Sequence, residues 1–130
     1  MSGNRGYKRA DRVARGIQRS ISDILRNEIS DPALRKLVVT DVTMSDDLKN
    51  ATIYWQPLLP DENFDITPVN HAFARALKRM RSLLSSKMQL RYTPRLRFKY
   101  DATIDEARRI DGLIRTLNIP EPPEGPEPTE

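Results

Sequence analysis

Two β-branched and aromatic runs constrain the fold of this chain more than any other feature. They are Leu37-Val38-Val39-Thr40-Asp41-Val42-Thr43-Met44 and Ala51-Thr52-Ile53-Tyr54-Trp55-Gln56, separated by the polar stretch Ser45-Asp46-Asp47-Leu48-Lys49-Asn50. Side chains branched at Cβ favour extended backbone, and a short polar insert between two such runs makes an antiparallel pair joined by a turn. A third extended segment, Arg95-Leu96-Arg97-Phe98-Lys99-Tyr100, alternates strictly, so one face is buried and the other is cationic.

Helical periods surround these strands. Val13, Ile17, Ile21, Ile24 and Leu25 recur at spacings of three and four, which predicts an amphipathic helix over about residues 8–29. Asp31-Pro32 should end it, because proline lacks an amide and disfavours helical geometry in the residue before it. Pro57 to Pro68 reads as a loop. Ala72, Phe73, Ala76, Leu77, Met80, Leu83, Leu84 and Met88 mark a long second helix, with Pro94 closing the region. Ile104, Ala107, Ile110, Leu113, Ile114 and Leu117 mark a last helix, capped by Thr103 or Asp101 and stopped by Pro120. The expected fold is therefore α+β, a three-stranded sheet backed by helices on one face, in a single domain over 8–119. Residues 1–7 are expected to be flexible. The Pro/Glu-rich tail at 120–130 is expected to be disordered.

Charge narrows the function. The net charge is +4, but removing the four glutamates of the last ten residues lifts it to +8. Arg5, Lys8, Arg9, Arg12, Arg15 and Arg19 face a single acid, Asp11, in the first twenty residues. From Arg75 to Lys99 there are nine basic residues and no acid. Without i,i+4 partners these like charges repel unless something neutralises them, and a field this dense attracts polyanions, nucleic acid above all. Arg75, Lys78 and Arg79 fall on the helix face away from Ala72, Phe73, Ala76 and Met80, with Arg81 and Lys87 on the flanks. As solvated cations, Arg75 and Arg79 should tolerate replacement by glutamate with little loss of thermal stability.

Catalysis finds no support. His71 is the only histidine and there is no cysteine, so His-based triads, multi-histidine metal sites and thiol chemistry are excluded. Asp46 and Asp47 are adjacent carboxylates, but aspartates in a turn bond to their own backbone. The five glycines are scattered, so no phosphate-cradling loop exists. Gly3-Asn4-Arg5-Gly6 matches the GxxG of KH domains only by accident, since it lies at a terminus. No cofactor or metal is expected. No stretch approaches the roughly 20 apolar residues of a membrane span. With no secretory signal visible, a cytoplasmic location is expected. Trp55, Tyr54, Phe98 and Tyr100 fall on strands where core packing is their expected role, so phosphate contact with structured RNA is favoured over base stacking.

Several fragments in fixed order carry a family resemblance. Arg12-Val13 opens the first helix and Ile29-x-Asp31-Pro32-x-Leu34 closes it. Val42-x-Met44-Ser45-x-Asp47-Leu48-x-x-Ala51-x-Ile53-Tyr54 spans the hairpin. Arg81-Ser82-Leu83-Leu84 and Met88-x-Leu90-Arg91-x-x-Pro94-x-Leu96-x-Phe98-x-x-Asp101 follow. Together they resemble the ribosome-binding factor A family from about Lys8 to Leu117. The resemblance implies a type II KH-like fold of order α-β-β-α(kinked)-β-α and no enzymatic activity. It also implies a monomer that binds the free, immature 30S subunit and 16S rRNA, assists late maturation and 5′-end processing of that rRNA, and serves cold adaptation. The RNA contacts then fall to Arg75, Lys78, Arg79, Arg81, Lys87 and Arg91, helped by Lys8, Arg9 and Arg12. Where the family has an Ala-x-Gly kink this chain has Ala76-Leu77-Lys78, so the kink is held by packing, lies elsewhere with Ser85-Ser86 a candidate, or is shallower. The alternatives are a general KH-like module for single-stranded RNA and a protein–protein adaptor using the Pro-Glu tail.

Overall fold

The computed structural model describes residues 2–59 and 63–103. Contacts divide the chain into two units, Met1–Tyr100 and Asp101–Glu130. The first contains α1 (Ser2–Asn27), α2 (Pro32–Arg35), β1 (Leu37–Met44), β2 (Asn50–Pro57), α3 (Thr67–Met88) and β3 (Arg95–Tyr100). In the second, the Asp101 carboxylate accepts the Thr103 N–H at 2.9 Å, the capping role expected of this position. The last helix at 104–117 and the Pro/Glu tail lie outside the described residues.

The sheet order is β1-β2-β3. β1 and β2 form the expected antiparallel hairpin, and β3 joins β2 in parallel with Asn50 opposite Arg95 and Trp55 opposite Tyr100. A parallel neighbour needs a long crossover, and α3 supplies it. The register slips between Val39 and Asp41, leaving Thr40 as an extra residue. Two residues on, side chains would share a face; the bulge lets Val39 and Val42, three apart, both point inward.

β2 lies in the middle, and Ala51, Ile53 and Trp55 on its inner face are almost wholly buried. Ala14, Ile17, Ile21 and Ile24 of α1 cover that face together with Val69, Ala72, Phe73, Met80 and Leu84 of α3. Trp55 anchors an aromatic cluster, with ring centroids 6.1 Å from Phe64, 6.0 Å from Phe73 and 5.3 Å from Tyr100. Phe98 stacks on Phe73 at 4.0 Å. The expected core role of Trp55, Phe98 and Tyr100 is what the structure shows.

Three boundaries differ from expectation. α1 begins at Ser2 instead of near residue 8, since no proline interrupts the arginine- and lysine-bearing first turns, so residues 2–7 are helical. It ends at Asn27, before Asp31-Pro32. That dipeptide starts a helix instead: the Asp31 carboxylate accepts the Ala33 N–H at 3.0 Å as the N-cap of α2, with Pro32 in the first turn. α3 starts at Thr67, five residues before Ala72, because Pro68 suits a first helical turn as well as a loop. Across Ala76-Leu77-Lys78 and Ser85-Ser86 the helix is unbroken. It stops at Gln89, in left-handed geometry with φ 51°. The α+β architecture, with one antiparallel and one parallel strand pairing under two long helices, is the type II KH-like fold.

Candidate nucleic-acid interface

α3 carries the cationic stripe because its inner positions are apolar and its outer ones are not. Arg75, Lys78, Arg79 and Lys87 are exposed, while Ala72, Phe73, Met80 and Leu84 are buried on the opposite face. The stripe lacks acids of its own, yet it is not bare. Arg75 Nη2 lies 2.9 Å from the Asp31 carboxylate and Lys87 Nζ 2.8 Å from that of Asp23. Asp23 also accepts from Asn27 at 2.6 Å. The neutralising groups thus come from α1 and the α2 cap, far off in sequence, which is why counting charges along α3 misses them.

These contacts shift the titration of their members. The Lys87 ammonium, then the Asn27 amide, hold the Asp23 carboxyl below its usual range. The Arg75 guanidinium, then the Ala33 N–H, do the same for Asp31. Lys87 is raised in turn by Asp23. Asp47 is lowered by the Ser45 hydroxyl at 2.6 Å and the Lys49 N–H at 3.0 Å. That arrangement is the self-bonded turn expected of this aspartate.

Arg81 is partly buried and works inside the fold. Its Nε and Nη2 donate to the carbonyls of Pro94 and Thr93 at 3.3 and 3.1 Å, holding the entry to β3 against α3. Arg79 donates to the Glu28 carbonyl at 3.5 Å, the limit of a useful hydrogen bond. Arg9, Arg12 and Lys78 are exposed, with no hydrogen bond or ion pair among the described residues. Arg91 is exposed too and sits over the Tyr92 ring, 5.5 Å from its centroid. Lys8 lies in the backbone of α1. Replacing Arg75 by glutamate would set a carboxylate against the α2 cap, so the tolerance expected of this position does not follow from its surroundings.

A shallow, open groove runs along the flank of α3. It is lined by Lys78, Arg81, Ser82, Ser85, Ser86 and Thr93. Two cations and four hydroxyls, with no carboxylate in the lining, can hold a phosphate diester by charge and by hydrogen bonds. Sequence reading found the two cations. It missed Ser85, Ser86 and Thr93, whose only signal is helical spacing from Ser82 and the proximity of the chain after α3. Among the described residues no cluster of histidines and carboxylates could hold a metal, and no helix is long and apolar enough to cross a membrane.

The family profile described as ribosome-binding factor A matches residues 9–114. The chain belongs to that family. Ribosome-binding factor A of Geobacter metallireducens is 35% identical over 115 residues, which cover 88% of this chain and 96% of that protein. The crystal structure of ribosome-binding factor A from Thermus thermophilus superposes with a TM-score of 0.59 at 23% identity, over 70% of this chain and 94% of that one. A homology model of the Thermus thermophilus factor, fitted into the cryo-EM map of its 30S complex, gives 0.58 at 23% identity, over 71% and 94%. Those two structures are similar in fold to this member of the family. The α3 groove and the acids paired with its cations are features of this chain's own side chains.

Proposed function

We propose that this protein binds the immature 30S subunit through 16S rRNA and assists its late maturation, including 5′-end processing, without catalysing a reaction. The observation that carries the reading is the α3 groove. Cations and hydroxyls line it without a carboxylate, and Arg9, Arg12 and Arg91 are exposed with no ion-pair partner among the described residues. Such a surface recognises phosphate backbone by position and shape, as double-stranded and structured RNA require. The Thermus relative's placement in a 30S complex supports the same partner. Binding energy spent on one rRNA conformation would stabilise that conformation until assembly favours release.

Sedimentation of a cell lysate through a sucrose gradient tests this. The protein should comigrate with free small subunits, be absent from mature ribosomes, and be lost from the subunits at high salt. Retention at the top of the gradient at low salt would refute it and return the single-strand module or the adaptor.

A further inference from the structure

A second cleft, of about 420 Å³, has chemistry that phosphate binding alone does not explain. It lies between the first half of α1, the β1–β2 turn and the segment leading from α3 to β3. Val13, Met44, Leu48 and Leu90 give it an apolar, half-buried lining, and Arg9, Lys49 and Arg91 stand exposed around it. Tyr92 is 76% exposed, the most exposed aromatic ring among the described residues. The one carboxylate in the lining, Asp47, has Oδ1 turned to its own Ser45 hydroxyl and Lys49 N–H.

The walls of this cleft are held in place. The Arg95 N–H donates to the Lys49 carbonyl at 2.8 Å, tying the turn to the start of β3. The two non-glycine residues with left-handed backbone among those described, Leu48 at φ 63° and Gln89 at φ 51°, stand at its edges. Left-handed geometry is costly for a side chain with a Cβ, and strain of this kind concentrates at binding sites. Here it turns Leu48 into the lining and starts the segment that carries Arg91 and Tyr92.

We propose that this cleft holds one unstacked base of the bound RNA, stacked on Tyr92, with Arg9, Lys49 and Arg91 on the flanking phosphates. The inference rests on the RNA-binding reading above and adds a base-recognition site to it. A ring with one face near a guanidinium and the rest in water is suited to such stacking, and every nucleobase offers a flat face to it. Three cations beside an apolar lining match the charge and the carbon surface of a splayed nucleotide, whereas an apolar peptide would leave those cations without anions.

The probe is a single-stranded RNA of about ten nucleotides with 2-aminopurine at its centre, titrated with the full chain. Fluorescence should be quenched on binding. Tyr92→Ala should abolish the quenching and weaken affinity about ten-fold while leaving the salt dependence unchanged, since no phosphate contact is lost. Tyr92→Phe should behave as the parent does. Equal affinity and quenching for parent and Tyr92→Ala would overturn the base site and leave the RNA reading standing. No binding of this single strand by the parent even at low salt would overturn the base site and leave the structured-RNA reading to the sedimentation test. A defect of Tyr92→Ala on isolated small subunits but not on naked RNA would give the cleft to a protein partner and overturn the proposal.

Discussion

Replacing Asp31 by asparagine should strengthen RNA binding. Asp31 does two jobs with separate oxygens: Oδ1 caps α2 through the Ala33 N–H, and Oδ2 pairs with Arg75. Asparagine keeps an oxygen for the cap, and the two residues cap helices about equally well, so the fold should be retained. Its amide nitrogen cannot pair with a guanidinium, and Arg75 is released. In the parent, four of the proposed contacts (Arg9, Arg12, Lys78 and Arg91) have neither an ion-pair partner nor a hydrogen bond among the described residues. If each neutralises one phosphate, the log–log dependence of affinity on salt should have a slope of about −3. Freeing Arg75 should steepen it by about 0.7 to 0.9. A phosphate beyond Arg75 would lie roughly 6 Å from the lost carboxylate, and screened repulsion at that distance amounts to about two- to three-fold in affinity at physiological salt. Fluorescence anisotropy of a labelled small-subunit rRNA fragment, repeated over a salt series, measures both quantities. An unchanged slope, or weaker binding with the helix content intact, would show that Arg75 stays off the RNA and refute the reasoning.

Arg81→Ala should destabilise the fold by about 1–2 kcal/mol, because its guanidinium donates to two carbonyls at the entry to β3; Lys78→Ala should leave urea unfolding unchanged while weakening RNA binding. Gln89→Gly should stabilise by about 0.5–1 kcal/mol in thermal melts, since relief of left-handed strain exceeds the added unfolded-state entropy. Asp23, Asp31 and Asp47 all have lowered folded-state pKa values, so their contribution is complete above the unfolded value of about 3.9 and is lost as pH falls through the lower folded values. Lys87 is raised, so its part persists through neutral pH and is lost only as pH rises beyond 10.5. Urea midpoints measured from pH 2 to 7 should therefore drop in the acid range, and Asp23→Asn should flatten that drop.

What the sequence made legible follows from how local each signal is. β1 was bounded correctly at Leu37–Met44 because a β-branched run between polar turns is decided by its own residues. The alternation of Arg95–Tyr100 revealed a strand with Leu96 buried and Arg95, Arg97 and Lys99 exposed. It did not reveal that β3 runs parallel to β2, since that depends on where α3 delivers the chain. Asp31-Pro32 misled because one dipeptide can stop a helix or begin one; which it does depends on whether helical residues follow. The bulge at Thr40 was foreshadowed only by Val39 and Val42 being out of phase for a regular strand.

The site shows the same division at a longer range. The cations of α3 are a local property and were all visible, but their availability is not. Asp31 lies 44 residues before Arg75, and only packing of the α1–α2 connection beside α3 brings them to 2.9 Å. Nine basic residues without an acid among them therefore overstate the usable field, because α1 and the α2 cap return two negative charges to the same face. Asp23 and Asp31 pair with two of those cations and so relieve part of the like-charge repulsion along α3. Tyr92 escaped notice for the opposite reason. An aromatic residue is ordinarily core, and the loop geometry that starts at Gln89 and leaves this ring in water has no signature in sequence spacing. On the proposal above, base recognition resides at exposed Tyr92 and left-handed Leu48, where the local rules are broken, while the regular elements supply the field that brings RNA to them.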